Sequence, residues 1–222
     1  MIAPLADSAL ALERASFERF AKTRVGSPGA DTLLYVASGP ALFQVGEAAV
    51  ALEPGMAALV LAGEERSLAA LGDGIDLLLF TVGADVDLHA PMGKREEVVK
   101  PTASGAQQAT GARSFRILFG PHNRPTRATL FAGFIPPGKA PWHYHLYDEI
   151  LWVPVGPGRL HLRDAVEELG PRSAFRLRPR QVHIVESLGH AELTIVGVFT
   201  PAGSPSAAYL EPDIAADCRF AE

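Results

Sequence analysis

A single cysteine, Cys218, in a chain of 222 residues excludes an intramolecular disulfide and predicts a reducing, cytoplasmic setting. Standing alone near the C-terminus, it has no partner for nucleophilic catalysis and reads as a tail or buried thiol. No run of about eighteen apolar residues occurs, so no membrane helix is predicted. The first residues lack a basic stretch and bring Asp7 and Glu13 early, so a secretory leader is not expected. Positive charge is sparse and scattered: 20 Lys and Arg against 25 Asp and Glu leave a net charge of −5. With no helix-turn-helix pattern either, nucleic acid is not a predicted partner. What the chain has in quantity is turn chemistry. The 21 glycines and 18 prolines punctuate many short apolar stretches, the pattern of an all-β protein.

The densest chemistry lies between Gly138 and Gly156, where His143 and His145 are followed by Glu149. Side chains two apart on a β-strand project to the same face, so the two imidazoles can converge. Glu149 opens the next apolar run, Ile150 to Val153, which reads as the following strand. A fourth candidate donor, His183, follows Pro179 in a β-rich segment. Imidazole nitrogens with one carboxylate suit a divalent transition metal, with Fe, Mn, Ni, Zn and Cu all compatible.

His143-x-His145-x-x-x-Glu149, flanked by Gly138 and Gly156, resembles the first motif of the cupin superfamily. Gly170 to His183 is similar to the second motif, with two departures. Arg180-Gln181-Val182 occupies the stretch where the family has a glycine between proline and histidine, and Ser187 stands where asparagine is common. The resemblance implies a jelly-roll barrel (a double-stranded β-helix) with a metal held by His143, His145, Glu149 and His183. It implies no single reaction, since cupins include oxygenases, decarboxylases, isomerases, lyases, hydrolases and non-catalytic binders.

The chain also repeats itself. Thr32 to Pro40 aligns with Glu149 to Pro157 at an offset of 117 (149 less 32), and the offset holds without a gap to Gly72 over Gly189. Two barrels in tandem are therefore expected: residues 1–84, a linker over 85–113, and residues 114–222. The alignment makes residues 14–20 a strand, although apolar spacing from Leu10 to Phe20 is helix-like and leaves room for a short helix before Glu13. Carried back by the offset, the ligand positions become Gly26, Pro28, Thr32 and Arg66. Glycine and proline have no donor, threonine is a poor one and arginine is a cation, so the first barrel should hold no metal. Apolar runs such as Leu77 to Phe80 require cover, from the second barrel or from a homodimer partner.

The remaining features are weighed against ordinary solvation. His89, His122 and His190 lie in turn-like surroundings and His161 lacks a partner at ligand spacing, so all four are expected in solvent. Arg172, Arg176, Arg178 and Arg180 share one parity, opposite to that of inward-facing His183, and are expected on an outer solvated or interface face. Phe131, Leu151, Val153, Leu177 and Val185 have the parity of barrel-interior residues. Tyr147, Asp148 and Gln181 are candidates to support the ligands. The small-polar run from Thr102 to Gly111 reads as an exposed loop or lid, and the chain after Pro201 as a surface wrap with one helical turn after Asp213. The site predicts a metal-dependent enzyme acting on a small oxygenated organic substrate. Iron(II) dioxygenase chemistry leads, followed by isomerase, lyase or hydrolase chemistry and by small-molecule binding without catalysis.

Overall fold

The computed structural model describes residues 5–84, 86, 89–102, 105–109 and 112–210. The first barrel comprises β1 (Leu10–Glu18), β2 (Lys22–Val25), β3 (Ala30–Ser38), β4 (Ala41–Val45), β5 (Ala48–Leu52), β6 (Ala57–Val60), β7 (Arg66–Ala70) and β8 (Gly74–Gly83). The linker contributes β9 (Val98–Val99) and β10 (Gln107–Gln108). The second barrel holds β11 (Ser114–Phe119), β12 (Thr129–Ile135), β13 (His143–Tyr144), β14 (Asp148–Val155) and β15 (Gly158–Leu162). It continues with β16 (Val166–Leu169), β17 (Ala174–Leu177), β18 (His183–Ser187), β19 (Leu193–Thr200) and β20 (Tyr209–Leu210).

Each barrel closes from two antiparallel sheets. The first pairs a sheet ordered β1-β8-β3-β6-β9 with one ordered β2-β7-β4-β5. The second pairs β10-β11-β12-β19-β14-β17 with β16-β15-β18-β13-β20. The internal repeat survives as structure: β4, β6 and β7 map residue for residue, at the 117 offset, onto β15, β17 and β18. The linker is divided between the barrels, since β9 pairs with β6 and β10 with β11. Ala103, Ser104, Thr110 and Gly111 of the lid-like run lie outside the described residues, as do Cys218 and the turn expected after Asp213. Among the described residues, which begin at Leu5, the helix considered before Glu13 does not form. Asp7 accepts the amides of Ala9 and Leu10, and Ala6 bridges to Ala11 at the start of β1.

The apolar runs are buried on both faces, and strand parity divides them. On β8, Ile75 and Leu77 enter the core of the first barrel, whereas Leu78, Phe80 and Val82 enter a core shared with the second. On β14, Leu151 and Val153 line their own barrel, whereas Ile150 and Trp152 face the shared core. The run Leu77–Phe80 is thus covered within the chain, and it carries no argument for a second copy.

Of the two outward settings expected for Arg176, solvent and interface, this shared face supplies the interface. The side chain points away from its own barrel, opposite Ile150, but there it meets the first barrel and is fully buried. It makes a two-pronged contact with Asp148 at 2.8 and 2.6 Å, reaches Asp7 at 2.8 Å and donates to the Leu10 carbonyl. Arg178 adds contacts to both acids, while Arg172 and Arg180 are exposed. Burial raises the Asp7 pKa, but amides of Leu10 and Ala9 and both guanidinium groups hold it well below the usual carboxylate range. Removing one partner of such a charge leaves the other uncompensated. Asp148→Ala is therefore expected to destabilise the fold by about 2 kcal/mol, moderated by the remaining Asp7 contact. Chemical denaturation checks this, and a loss below about 0.5 kcal/mol would show the contact to be energetically idle.

Candidate metal centre

His143, His145 and His183 converge at neighbouring strands of one sheet of the second barrel. β13 and β18 pair so that His143 and His183 stand directly opposite one another. His145 follows β13 immediately, and its backbone carbonyl accepts the Arg180 amide at 2.7 Å. One nitrogen from each ring lies within 4.8 Å of the others, an arrangement that can hold a metal ion.

The tautomers are set by the backbone. His143 Nδ1 contacts the Pro141 carbonyl at 2.9 Å, His145 Nδ1 that of Ala207 at 3.0 Å, and His183 Nδ1 that of Gln181 at 2.8 Å. A carbonyl only accepts, so each Nδ1 carries the proton and each Nε2 keeps a free lone pair. Burial keeps all three rings neutral: it lowers the pKa values of His143 and His183 and pushes His145 down to about 4. Three oriented, unprotonated nitrogens are what a cation needs from imidazoles.

Glu149 reaches the same pocket from the facing sheet, where it stands between Leu177 on β17 and Phe199 on β19. Its carboxylate lies outside the cluster of three nitrogens. It is buried, and no donor hydrogen-bonds to it among the described residues. Burial, aided by the neighbouring Asp148 charge, pushes its pKa up to about 8. A buried carboxylate without a partner beside three bare nitrogens fits a cation better than it fits an empty pocket. The residues present suit a divalent ion.

The supporting residues differ in part from expectation. Tyr147 stacks on His145 at 4.6 Å between ring centroids and on Phe199 at 4.0 Å, fixing the imidazole plane. Gln181 acts through its backbone carbonyl on His183, while its side chain accepts the Arg178 amide. Asp148 is turned away from the pocket and serves Arg176, so it supports no ligand. His161 is not solvated: its Nε2 lies 2.7 Å from Glu186, with both side chains largely buried. His89, His122 and His190 are exposed as expected.

The second-motif departure at Arg180 has a geometric resolution. Arg180 adopts the left-handed conformation, φ 65°, that a glycine takes without cost, as does Arg172 at φ 76°. The equivalent residues of the first barrel are Gly63 and Gly55, both also at positive φ. The turn leading to His183 is thus kept, with arginine tolerated in a backbone shape that favours glycine.

The corresponding end of the first barrel presents no such cluster among the described residues. A Cβ on Gly26 would collide with the Glu64 carbonyl, and Pro28 is exposed. Thr32 is buried on the ladder opposite Thr81. Arg66, in the place of His183, pairs with Glu97 at 3.2 Å and Glu64 at 3.5 Å, and Arg95 joins Glu64 at 2.6 Å. An ion-pair network stands where the second barrel has its histidines.

Two contributors had no sequence signal. The chain after Pro201 folds back so that β20 pairs with β13, Ala207 orients His145, and Pro205, Ala208 and Leu210 line the pocket. Arg113, just before β11, also lines it. The cleft has Phe115, Phe131, Leu151, Val185 and Ile195 among its walls.

No family model matches the sequence, and no curated protein matches it either. Among solved structures, an IolB-like protein from Salmonella typhimurium superposes with a TM-score of 0.73 at 12% identity, over 93% of this chain and 89% of that one. The oxalate decarboxylase of Lactobacillus farciminis, in its formate complex, gives 0.69 at 13% identity, over 96% and 82%. A cupin 2 conserved barrel domain protein from Leptotrichia buccalis gives 0.63 at 11%, over 88% and 85%. Across all three the likeness extends over both barrels. The chain has the cupin fold in tandem, and among its described residues the histidine cluster able to hold a metal lies in the second barrel.

Proposed function

We propose that His143, His145, His183 and Glu149 hold one divalent transition metal and that the chain is an enzyme acting on a small oxygenated organic substrate, with iron(II)-dependent dioxygenase chemistry as the leading assignment. The observation that carries this reading is the set of three Nε2 atoms, each freed by a backbone acceptor on Nδ1, facing one apolar-walled pocket. A bound ion supplies Lewis acidity and, as iron(II), reactivity toward dioxygen. The chain supplies the rest. The carbonyls of Pro141, Ala207 and Gln181 hold the rings, Tyr147 stacks against one of them, and Phe115, Phe131 and Ile195 keep bulk water from the substrate.

Glu149 favours a second reading, in which the same site runs non-redox isomerase, lyase, hydrolase or decarboxylase chemistry. With a pKa near 8 and no hydrogen-bond partner among the described residues, it can hold or release a proton at neutral pH. One experiment separates the readings. The protein is loaded anaerobically with iron(II), and dioxygen uptake and product formation are followed with catechols, enediols, keto acids and oxalate; oxalate is in the panel because a structural neighbour is an oxalate decarboxylase. Substrate-dependent uptake supports the dioxygenase, whereas turnover without uptake transfers the assignment to the second reading. Binding without turnover makes the chain a small-molecule binder, and failure to retain any metal overturns the proposal.

A further inference from the structure

We propose that Arg113 anchors a carboxylate of the substrate, which makes the substrate class a small organic anion with an apolar body. The inference deepens the reading above and rests on it for the pocket's being the substrate site.

Arg113 lines the pocket, and its guanidinium donates through Nη2 to the carbonyl of Val185, another lining residue, at 2.9 Å. Val185 lies two residues beyond His183 on β18 and faces the same way, so the fork is tied to the strand that carries a histidine. No carboxylate approaches Arg113 among the described residues, and its other N–H groups have no protein acceptor there. Arg127 pairs with Asp31, and Arg176 with Asp7 and Asp148, whereas Arg116 meets the Pro101 carbonyl and the Phe134 ring and does not line the pocket. Burial lowers the Arg113 pKa only to about 10, so the group stays cationic at neutral pH. Its charge also acts on His143, His145 and His183, which places it within electrostatic reach of the metal centre.

Arg113 is part-buried, and none of its nitrogens is a buried unpaired atom. Its unused donors therefore open onto the pocket, where an anion can take the place of solvent in a charge-assisted contact. The planar fork matches the two oxygens of a carboxylate. A phosphate would bring more charge than one guanidinium offsets, and it would bring that charge toward Glu149. The walls beyond the fork are Phe115, Phe131, Leu151 and Ile195, which favour an apolar body on the acid.

The test uses chelator-treated protein, because the fork needs no metal to bind a carboxylate. Benzoate and its neutral isostere benzamide are titrated by calorimetry. Benzoate is expected to bind at least about 10-fold more tightly, the scale of a charge-assisted, two-pronged contact. Arg113→Met should abolish this preference. Arg113→Lys, which keeps the charge but not the fork, should weaken benzoate by about 5-fold or more. Arg172→Met, at an exposed arginine outside the pocket, should leave the preference intact. Equal binding of the two probes, or a preference unchanged in either Arg113 variant, overturns the proposal. Loss of metal binding with the benzoate preference retained would instead sink the proposed function and leave the anion site standing.

Discussion

Saturating divalent metal should raise the melting temperature of the chelator-treated protein by about 10 °C. An ion present at about 1,000 times its dissociation constant stabilises the folded state by about 4 kcal/mol through mass action, and about 1 kcal/mol moves the midpoint of a chain this size by roughly 2–4 °C. The three nitrogens are already neutral and aimed at one point, so little reorganisation opposes binding. Elemental analysis should give one ion per chain, because Gly26, Pro28, Thr32 and Arg66 leave the first barrel without a donor set. The double variant His143→Ala with His183→Ala should melt at the same temperature with and without metal. Two ions per chain, or a full shift in that variant, would show the ion to be held elsewhere.

The features legible in the sequence share one property: their information is local or periodic. The repeat was readable because each strand of one barrel recurs at a fixed offset, and the structure keeps β4, β6 and β7 in step with β15, β17 and β18. The convergence of His143 and His145 was expected from strand alternation, but β13 ends at Tyr144, and His145 is placed just beyond it with its carbonyl on the Arg180 amide. Strand parity placed Phe131, Leu151, Val153, Leu177 and Val185 in the second barrel's core. Parity names a face but not what lies beyond it. It turned Arg176 outward correctly and could not show that the outward face meets another barrel. Long-range partners were hidden for a related reason. Arg113 meets an acceptor 72 residues away and His145 one 62 residues away, and neither contact has a spacing that a sequence displays. Arg180 is a mixed case, since the second motif pointed to glycine there, and only the backbone shows that the glycine-type turn persists under an arginine.

Glu149 should dominate the pH dependence of the metal-free protein above pH 6.5. In the folded chain it keeps its proton to about pH 8, whereas unfolded it ionises near the ordinary value of 4.5. Between those limits the native state binds more protons than the unfolded one, so stability falls as pH rises through the window and levels off above it. The three histidines work in the opposite direction. Their folded pKa values lie below 6.5, so their contribution grows as pH rises toward 6.5 and is complete beyond it. From pH 6.5 to 8 the carboxylate acts alone among these four groups. At about 1.36 kcal/mol per pH unit, the metal-free parent should lose about 2 kcal/mol across that interval. Glu149→Gln keeps the size of the protonated acid and has no proton to lose, so its stability should be flat over the same range and exceed the parent's at pH 8. Metal reverses the ranking. A cation recruits the ionised carboxylate, so the parent should bind metal more tightly as pH rises to 8, while the glutamine variant binds at least about 10-fold more weakly and without that slope. Melting curves at pH 6.5 and 8, with and without metal, read both effects together. Equal metal affinity in the two proteins would remove Glu149 from the donor set, and a parent profile that stays flat without metal would show that the carboxylate is not held neutral by its burial.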